Sequence, residues 1–333
     1  MSYLRRISIR FWKHIHVFSL GYALVELLVV LDRKISDTFG TQNSATLLRK
    51  KEEYIIPWAK GFFAEDIAAF QDADPSDQSS YEDSKNSTIW LCWLQGEESA
   101  PPLVKELISN TRRRASGHEV VLLTESNIQD YCDIPEFIIQ KHRQGLMPVQ
   151  QFADILRTSL IHQKGGLWID ATMLLLRDIP DEVFSLPIYN VKGLNPNFTG
   201  FRRVPDADLY QCYFIAGHKD SVTYSFINQC LLKYWSRYDT LIDYFLISYL
   251  FKIARESIPP CSYEFELLPN NNQNCELLNE LLSKQSQDGN QDCKNLLSSE
   301  TWLYKLTWKK GYPLYDSNGE ATPTNTVFQH LLQ

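Results

Sequence analysis

The stretch Phe152–Arg177, FADILRTSLIHQKGGLWIDATMLLLR, constrains this chain more than any other part of it. It reads as a helix carrying Asp154 and Arg157, a break at Gly165-Gly166, and an apolar strand interrupted by a single acid, Asp170. A carboxylate buried without a partner among Leu, Trp, Ile, Ala and Met would cost several kcal/mol. Either the strand ends at that point and delivers Asp170 to a cleft, or a cation meets it there. Any functional reading therefore turns on Asp170.

Apolar runs and helical segments alternate around this stretch. Thr88–Leu94 (TIWLCWL) and His118–Thr124 (HEVVLLT) have the length of buried strands. A helix opens at Pro101-Pro102 and runs to about Arg114, because proline is tolerated in a first helical turn. Ser126 or Asn127 can cap a short helix from Ile128, and Pro135–Gln144 supplies another. This order predicts an α/β sandwich with a mostly parallel central sheet flanked by helices. In such open sheets ligands sit beyond the carboxyl ends of the strands, so residues just after Leu94 and around Asp170 form the floor of one site. Downstream, Gln211–Ala216 is a further strand candidate, Ser221–Arg255 is helical and rich in aromatics, and Thr301–Lys309 (TWLYKLTWK) is a last element. Residues 1–70 read as a helical N-terminal extension, 71–87 as an acidic polar linker, 88–310 as the main domain and 311–333 as a polar C-terminal tail.

Charge bounds the partners. The chain of 333 residues has a net charge of -7, which gives no electrostatic footprint for nucleic acid. Residues 1–34 hold six Lys and Arg against two acids, so this end carries +4 and the rest -11. A basic end on an acidic body suits peripheral contact with an anionic membrane surface. Ile15–Leu31 is just long enough to span a bilayer, but Glu26 within it would cost about 2.5–3.5 kcal/mol near the centre. Val17, Leu20, Leu24, Leu27 and Leu31 fall on one helical face, which predicts a helix docked on protein or on a membrane surface. Seven scattered cysteines, odd in number and never spaced CxxC, argue for a reduced, cytoplasmic setting over a disulfide framework or a structural zinc site.

Asp154 and Arg157 stand at i and i+3 on one helix face, open to reading as a structural ion pair or as part of a site. Gly165-Gly166 suits a helix end with positive φ and lets a backbone or a ligand approach closely. Asp170 and Thr172 share a side of an extended chain, and one carboxylate with a hydroxyl holds a divalent cation only if phosphate oxygens and water complete the shell. The alternative is a strand-end Asp paired with a nearby Arg. Trp90, Trp93, Gln95 and Gly96 mark a strand leaving into a Gly-containing loop. There, rings and an amide could bind a base or a sugar, although core packing accounts for Trp90. P-loop, GxGxxG, GxSxG and HExxH motifs are absent from the sequence.

Three blocks of the sequence resemble the capsular polysaccharide synthesis protein family of bacteria: WLCWLQGEESAPPLVKELISNTRR, GHEVVLLTESNIQDYCDIPEFI and FADILRTSLIHQKGGLWIDATMLLLRDIP. YFIAGHKDS, YWSRYDTLIDYFL and YKLTWK are weaker matches, and the likeness covers roughly residues 54 to 310. The resemblance implies a GT-A-like fold and transfer of a sugar from a nucleotide-sugar donor to a lipid-linked or growing capsular polysaccharide acceptor. By position, Asp154 and Arg157 match the family's D-x-x-R pair, Gly165 and Gly166 its GG, and Asp170 the first acid of its DxD. The implied catalytic set is Asp170, Asp154 and Arg157. Trp93, Gln95, Gly96, Gly165, Gly166, Thr172 and Tyr304 would line the donor, and Asp170 would be the ligand of a divalent cation, Mn²⁺ or Mg²⁺. Two departures stand out: Thr172 replaces the second acid, and Tyr304 stands where relatives often have the histidine of HKLT, so that Arg or Lys could carry the leaving-group charge instead. No general base is singled out among Asp206, Asp208 and Asp220. A sugar-phosphate transferase, or a non-catalytic assembly subunit, remains as an alternative. The expected place of work is the cytoplasm, at the inner face of the cell membrane.

Overall fold

The structure, a computed structural model, describes residues 3–39, 44–71, 86–195, 211–219, 221–284, 289–309, 311–312, 314–315 and 319–331. Most of the expected linker, residues 72–85, lies outside them. The chain opens with four helices, α1 (Tyr3–Val17), α2 (Leu20–Phe39), α3 (Ala45–Phe62) and α4 (Ala64–Gln71). Strand β1 (Ile89–Cys92) follows, then α5 (Pro102–Arg113), β2 (Val120–Leu123), α6 (Ile128–Tyr131), α7 (Glu136–Arg143) and α8 (Val149–Lys164). Next come β3 (Gly166–Asp170), β4 (Met173–Leu175), α9 (Glu182–Ser185), β5 (Ile188–Asn190) and β6 (Phe214–Gly217). Helices α10 (Val222–Arg237), α11 (Leu246–Ser257), α12 (Pro259–Glu266), α13 (Leu277–Lys284) and α14 (Gly289–Leu297) lead to β7 (Leu303–Lys305) and α15 (Pro323–Leu331).

The sheet order is β2-β1-β3-β6-β5, with β4 and β7 forming a separate antiparallel ribbon. β1 pairs in parallel with β2 and β3, whereas β6 runs antiparallel to both β3 and β5. The expected mostly parallel sheet is therefore a mixed one. Strands covered on both faces read as unbroken apolar runs whichever way they point, so the pattern that located them carried no direction. Period-two alternation still divides the core. Trp90, Trp168 and Ile215 face a cluster that also holds residues of α7, α8, α10 and α11. Ile89, Leu91, Leu167, Ile169 and Phe214 face a second cluster with Val104, Ile108, Val183 and Trp302. Each such side chain contributes about 1.5–3 kcal/mol by leaving water. A third cluster gathers Leu107, Leu174, Leu278, Leu296, Tyr304 and Val327 around the β4–β7 ribbon, so the segment read as a tail ends in a packed helix, α15.

Helix α8 is buried from Gln151 to Ile161 almost throughout, so Asp154 and Arg157 lie inside the protein. It ends at Gly165, whose φ of 72° leads into β3. The N-terminal helices join the body partly through charge: Lys51 Nζ lies 2.6 Å from Asp243 and 3.5 Å from Glu26, and Arg10 lies 2.6 Å from Glu26. Glu26 is thus turned inward.

Candidate active site

Strands β1 and β3 end side by side, with Cys92 in register with Asp170. Asp170 shares the face of Trp168, the side covered by α8, and its backbone N–H donates to the Tyr213 carbonyl at 2.8 Å. Its carboxylate has three partners. Trp168 Nε1 donates to Oδ1 at 2.9 Å, Lys305 Nζ donates to Oδ2 at 2.8 Å, and Arg157 Nη2 lies 3.6 Å from Oδ1. The Lys305 ammonium also donates to Thr172 Oγ1 at 2.6 Å. Of the two outcomes left open for a lone acid in an apolar strand, the structure shows the second: cations meet it where the strand ends. The Asp170 side chain keeps 26% exposure, so the cluster opens to solvent.

Arg157 is fixed from several sides. Its Nε donates to the Ala153 carbonyl at 3.1 Å, Nη1 donates to the Cys212 carbonyl, and the guanidinium carbon sits 5.2 Å from the Trp168 ring centre. Asp154 lies 3.7 Å from Arg157 and accepts from Gln151 Nε2 at 3.1 Å. The two carboxylates titrate in opposite directions. Burial alone would raise Asp170, but Lys305, Arg157 and the hydrogen bonds from Lys305 and Trp168 outweigh it and hold the carboxyl below its usual range. Burial pushes Asp154 up to about 7, opposed by Arg157 and reinforced by the charge on Asp170. A further carboxyl, Glu276, is also pushed to about 7 by burial, against the pull of Lys305 and a hydrogen bond from Tyr213.

The loop after β1 carries Trp93, Gln95 and Gly96 to the same end of the sheet. Trp93 packs edge-on against Trp308 with ring centres 6.0 Å apart, and its buried Nε1–H has no partner. Gln95 is exposed, and Gly96 adopts φ 81° with open space where a Cβ would stand. The remaining sequence candidates fall elsewhere. Gly165 and Gly166 sit at the opposite end of β3 from Asp170. Their missing side chains admit backbone: a Cβ on Gly166 would lie 2.5 Å from the Thr88 carbonyl oxygen, and one on Gly165 would lie 2.9 Å from the Lys219 nitrogen. Tyr304 points into the third cluster and donates to the Leu296 carbonyl at 2.6 Å, so it does not face Asp170. Asp206, Asp208 and Asp220 lie outside the described residues.

Lys305, beside Tyr304, occupies the position for which a cation was sought. The signal was present in Trp302-Leu303-Tyr304-Lys305-Leu306, a buried run broken by one charge, which mirrors Asp170 in β3. The donor set suits this ammonium rather than a divalent ion: a metal bridging Asp170 and Thr172 would have to displace Lys305 Nζ, and among the described residues no group of three His, Cys, Asp or Glu converges as a metal site.

A family model described as capsular polysaccharide synthesis protein matches residues 37–331. The chain is also similar to O-glycosyltransferase braB of Annulohypoxylon truncatum, with 29% identity over 107 residues, which make up 29% of this chain and 25% of that protein. The likeness thus spans about a quarter of that relative's length.

Proposed function

This chain belongs to the capsular polysaccharide synthesis protein family, and from that premise we propose that it is a glycosyltransferase with a GT-A-like donor site. It moves a sugar from a nucleoside-diphosphate donor to a hydroxyl of a lipid-linked or growing surface polysaccharide. The observation that carries this reading is the Asp170–Lys305–Arg157 constellation at the carboxyl ends of β1 and β3. An ammonium has three N–H donors, and two of those on Lys305 are engaged by Asp170 and Thr172. The third is left to meet a phosphate oxygen of the donor, with Asp170 aiming the amine.

In the transfer, the bond between the anomeric carbon and the diphosphate oxygen breaks. Lys305 and Arg157 balance the charge that develops on the departing diphosphate, the role a metal ion plays in related chemistry. The acceptor oxygen bonds to the anomeric carbon and gives up its proton. Asp154 and Glu276, both pushed to about 7, are the described carboxyls suited to take it at neutral pH. Trp93, Gln95 and Gly96 line the nucleoside end, where the unpartnered Trp93 N–H is a donor awaiting an acceptor.

The test is a thermal-shift screen of nucleotide sugars with and without Mn²⁺ or Mg²⁺, followed by turnover of whichever donor binds. A true donor raises the melting temperature by mass action. Asp170→Asn is expected to lower kcat by about 10²-fold or more, with a glycoside as the wild-type product. Full activity of Asp170→Asn, or failure of every nucleotide sugar to bind, overturns the proposal.

A further inference from the structure

Helix α2 wears its apolar stripe on the outside. Leu20, Leu24, Leu28, Leu31, Ile35 and Phe39 recur at steps of three and four and are between 43% (Leu31) and 75% (Phe39) exposed. They form one continuous strip about 28 Å long. The other side of the helix, with Tyr22, Ala23 and Glu26, is the buried one. An ordinary surface helix is arranged the other way round. Beside it, α1 exposes Arg5, Ile9, Trp12, Lys13 and His16, and its sequence contains no acid. Of the three acids in α2, Glu26 is held inward by Arg10 and Lys51, Asp32 accepts the Ser44 N–H at 2.8 Å, and Asp37 follows the basic pair Arg33-Lys34 in the sequence. A cleft of about 260 Å³ between the two helices is lined by Ile7, Phe11, Leu27 and Val30 together with the Arg10–Glu26 pair. Nearly all of this hairpin precedes residue 37, where the family match begins.

We propose that the α1–α2 hairpin lies flat in the headgroup layer of an anionic lipid bilayer, its leucine stripe at the acyl boundary and its basic residues on the lipid phosphates. Three observations choose this occupant. No helix among the described residues is long and apolar enough to cross a membrane, so the surface lies on a bilayer rather than through it. The charge is complementary: residues 1–34 carry +4 while the rest of the chain carries -11, so an anionic surface attracts this end and repels the body. Trp12, 57% exposed on the neighbouring helix, is the side chain favoured at a membrane–water interface. A second copy is disfavoured because symmetric pairing would bring together two hairpins that each carry +3 over residues 3–39. The inference does not rest on the transferase reading, since it requires no turnover.

The test is co-sedimentation of the intact chain with vesicles of phosphatidylcholine alone and of phosphatidylcholine with phosphatidylglycerol. The intact chain is expected to pellet with the anionic vesicles, and more weakly as salt is raised. Leu28→Glu combined with Leu31→Glu is expected to weaken binding about tenfold or more. Lys13→Glu, a surface change on the other helix, is expected to weaken it only for the anionic vesicles. A wild-type chain that stays in the supernatant with both vesicles overturns the proposal, as does a double variant that binds like the wild type. A lipid-free dimer in sedimentation velocity, dissociated by the leucine changes and indifferent to vesicles, would assign the stripe to a second copy instead.

Discussion

Asp170 and Lys305 each lose hydration at the carboxyl end of β3, and each recovers the loss in the other. Removing Lys305 leaves the half-buried Asp170 to Arg157 and Trp168, and the lost compensation is a larger penalty than the pair itself is worth. Lys305→Met is therefore expected to reduce kcat by roughly 10²–10³-fold and to lower the melting temperature. Adding Asp170→Asn should restore the melting temperature without restoring turnover; calorimetry and steady-state kinetics on the single and double variants check both halves. Asp154 makes the opposite prediction for stability. Its folded-state pKa, about 7, lies above the unfolded value of 3.8, so the folded chain holds the extra proton between those pH values. Stability contributed by that proton is full below about pH 4 and declines as pH rises through 7. Asp154→Asn is expected to flatten this decline, giving a higher melting temperature than wild type at pH 8 together with reduced activity, and melting curves across pH 5 to 8 decide it. Asp154, Arg157 and Asp170 were legible in the sequence because charge is conspicuous in an apolar run. Lys305 was harder to see, because its partner lies in a different part of the chain and one-dimensional spacing says nothing of who meets whom.

At the scale of elements, the α8–β3 junction shows what the glycine pair is for. With φ 99° and a virtual Cβ 2.5 Å from the Thr88 oxygen, Gly166 cannot gain a methyl group without moving the start of β1. Gly166→Ala is expected to cost roughly 2–5 kcal/mol from strain and overpacking, seen as a lowered midpoint in chemical denaturation. Because the clash is at the far end of β3, the fraction that remains folded should keep its affinity for donor. The helix, the break and the strand were all readable from periodicity and composition. Their mutual approach was readable only as a choice between a backbone and a ligand, since a missing side chain records that something comes close without recording what. Strand direction was lost for the related reason that burial on both faces erases alternation, and β7 was recognised only as a final apolar element whose partner, β4, lies well over a hundred residues earlier.

At the scale of the whole molecule, the N-terminal helices are tied to the body by a buried charge cluster as well as by apolar packing. Lys51, 6% exposed, faces both Glu26 and Asp243, and the Tyr22 hydroxyl donates to the Ile242 carbonyl nearby. Lys51→Met should strand Asp243 and leave Glu26 to Arg10 alone, destabilising the protein by about 3–5 kcal/mol, measured by urea unfolding at neutral pH; an unchanged midpoint would show that the helices are held without this charge cluster. The sequence pattern predicted a helix docked on something, and Glu26 was the obstacle to placing it in a bilayer. The obstacle disappears once Glu26 is turned inward, a fact that depends on Lys51 and Asp243 and so could not be read from the helix alone. The ion pair between Asp170 and Lys305 spans 135 residues of chain, and this separation has a bearing on biosynthesis. A nascent chain that has emerged only through α8 and β3 holds the Asp170 carboxylate with Arg157 and Trp168 alone, and contacts as distant in sequence as that with Lys305 form late. On the proposed function, competence for catalysis arrives only with β7, so an unfinished or C-terminally clipped chain would carry most of the fold and be silent.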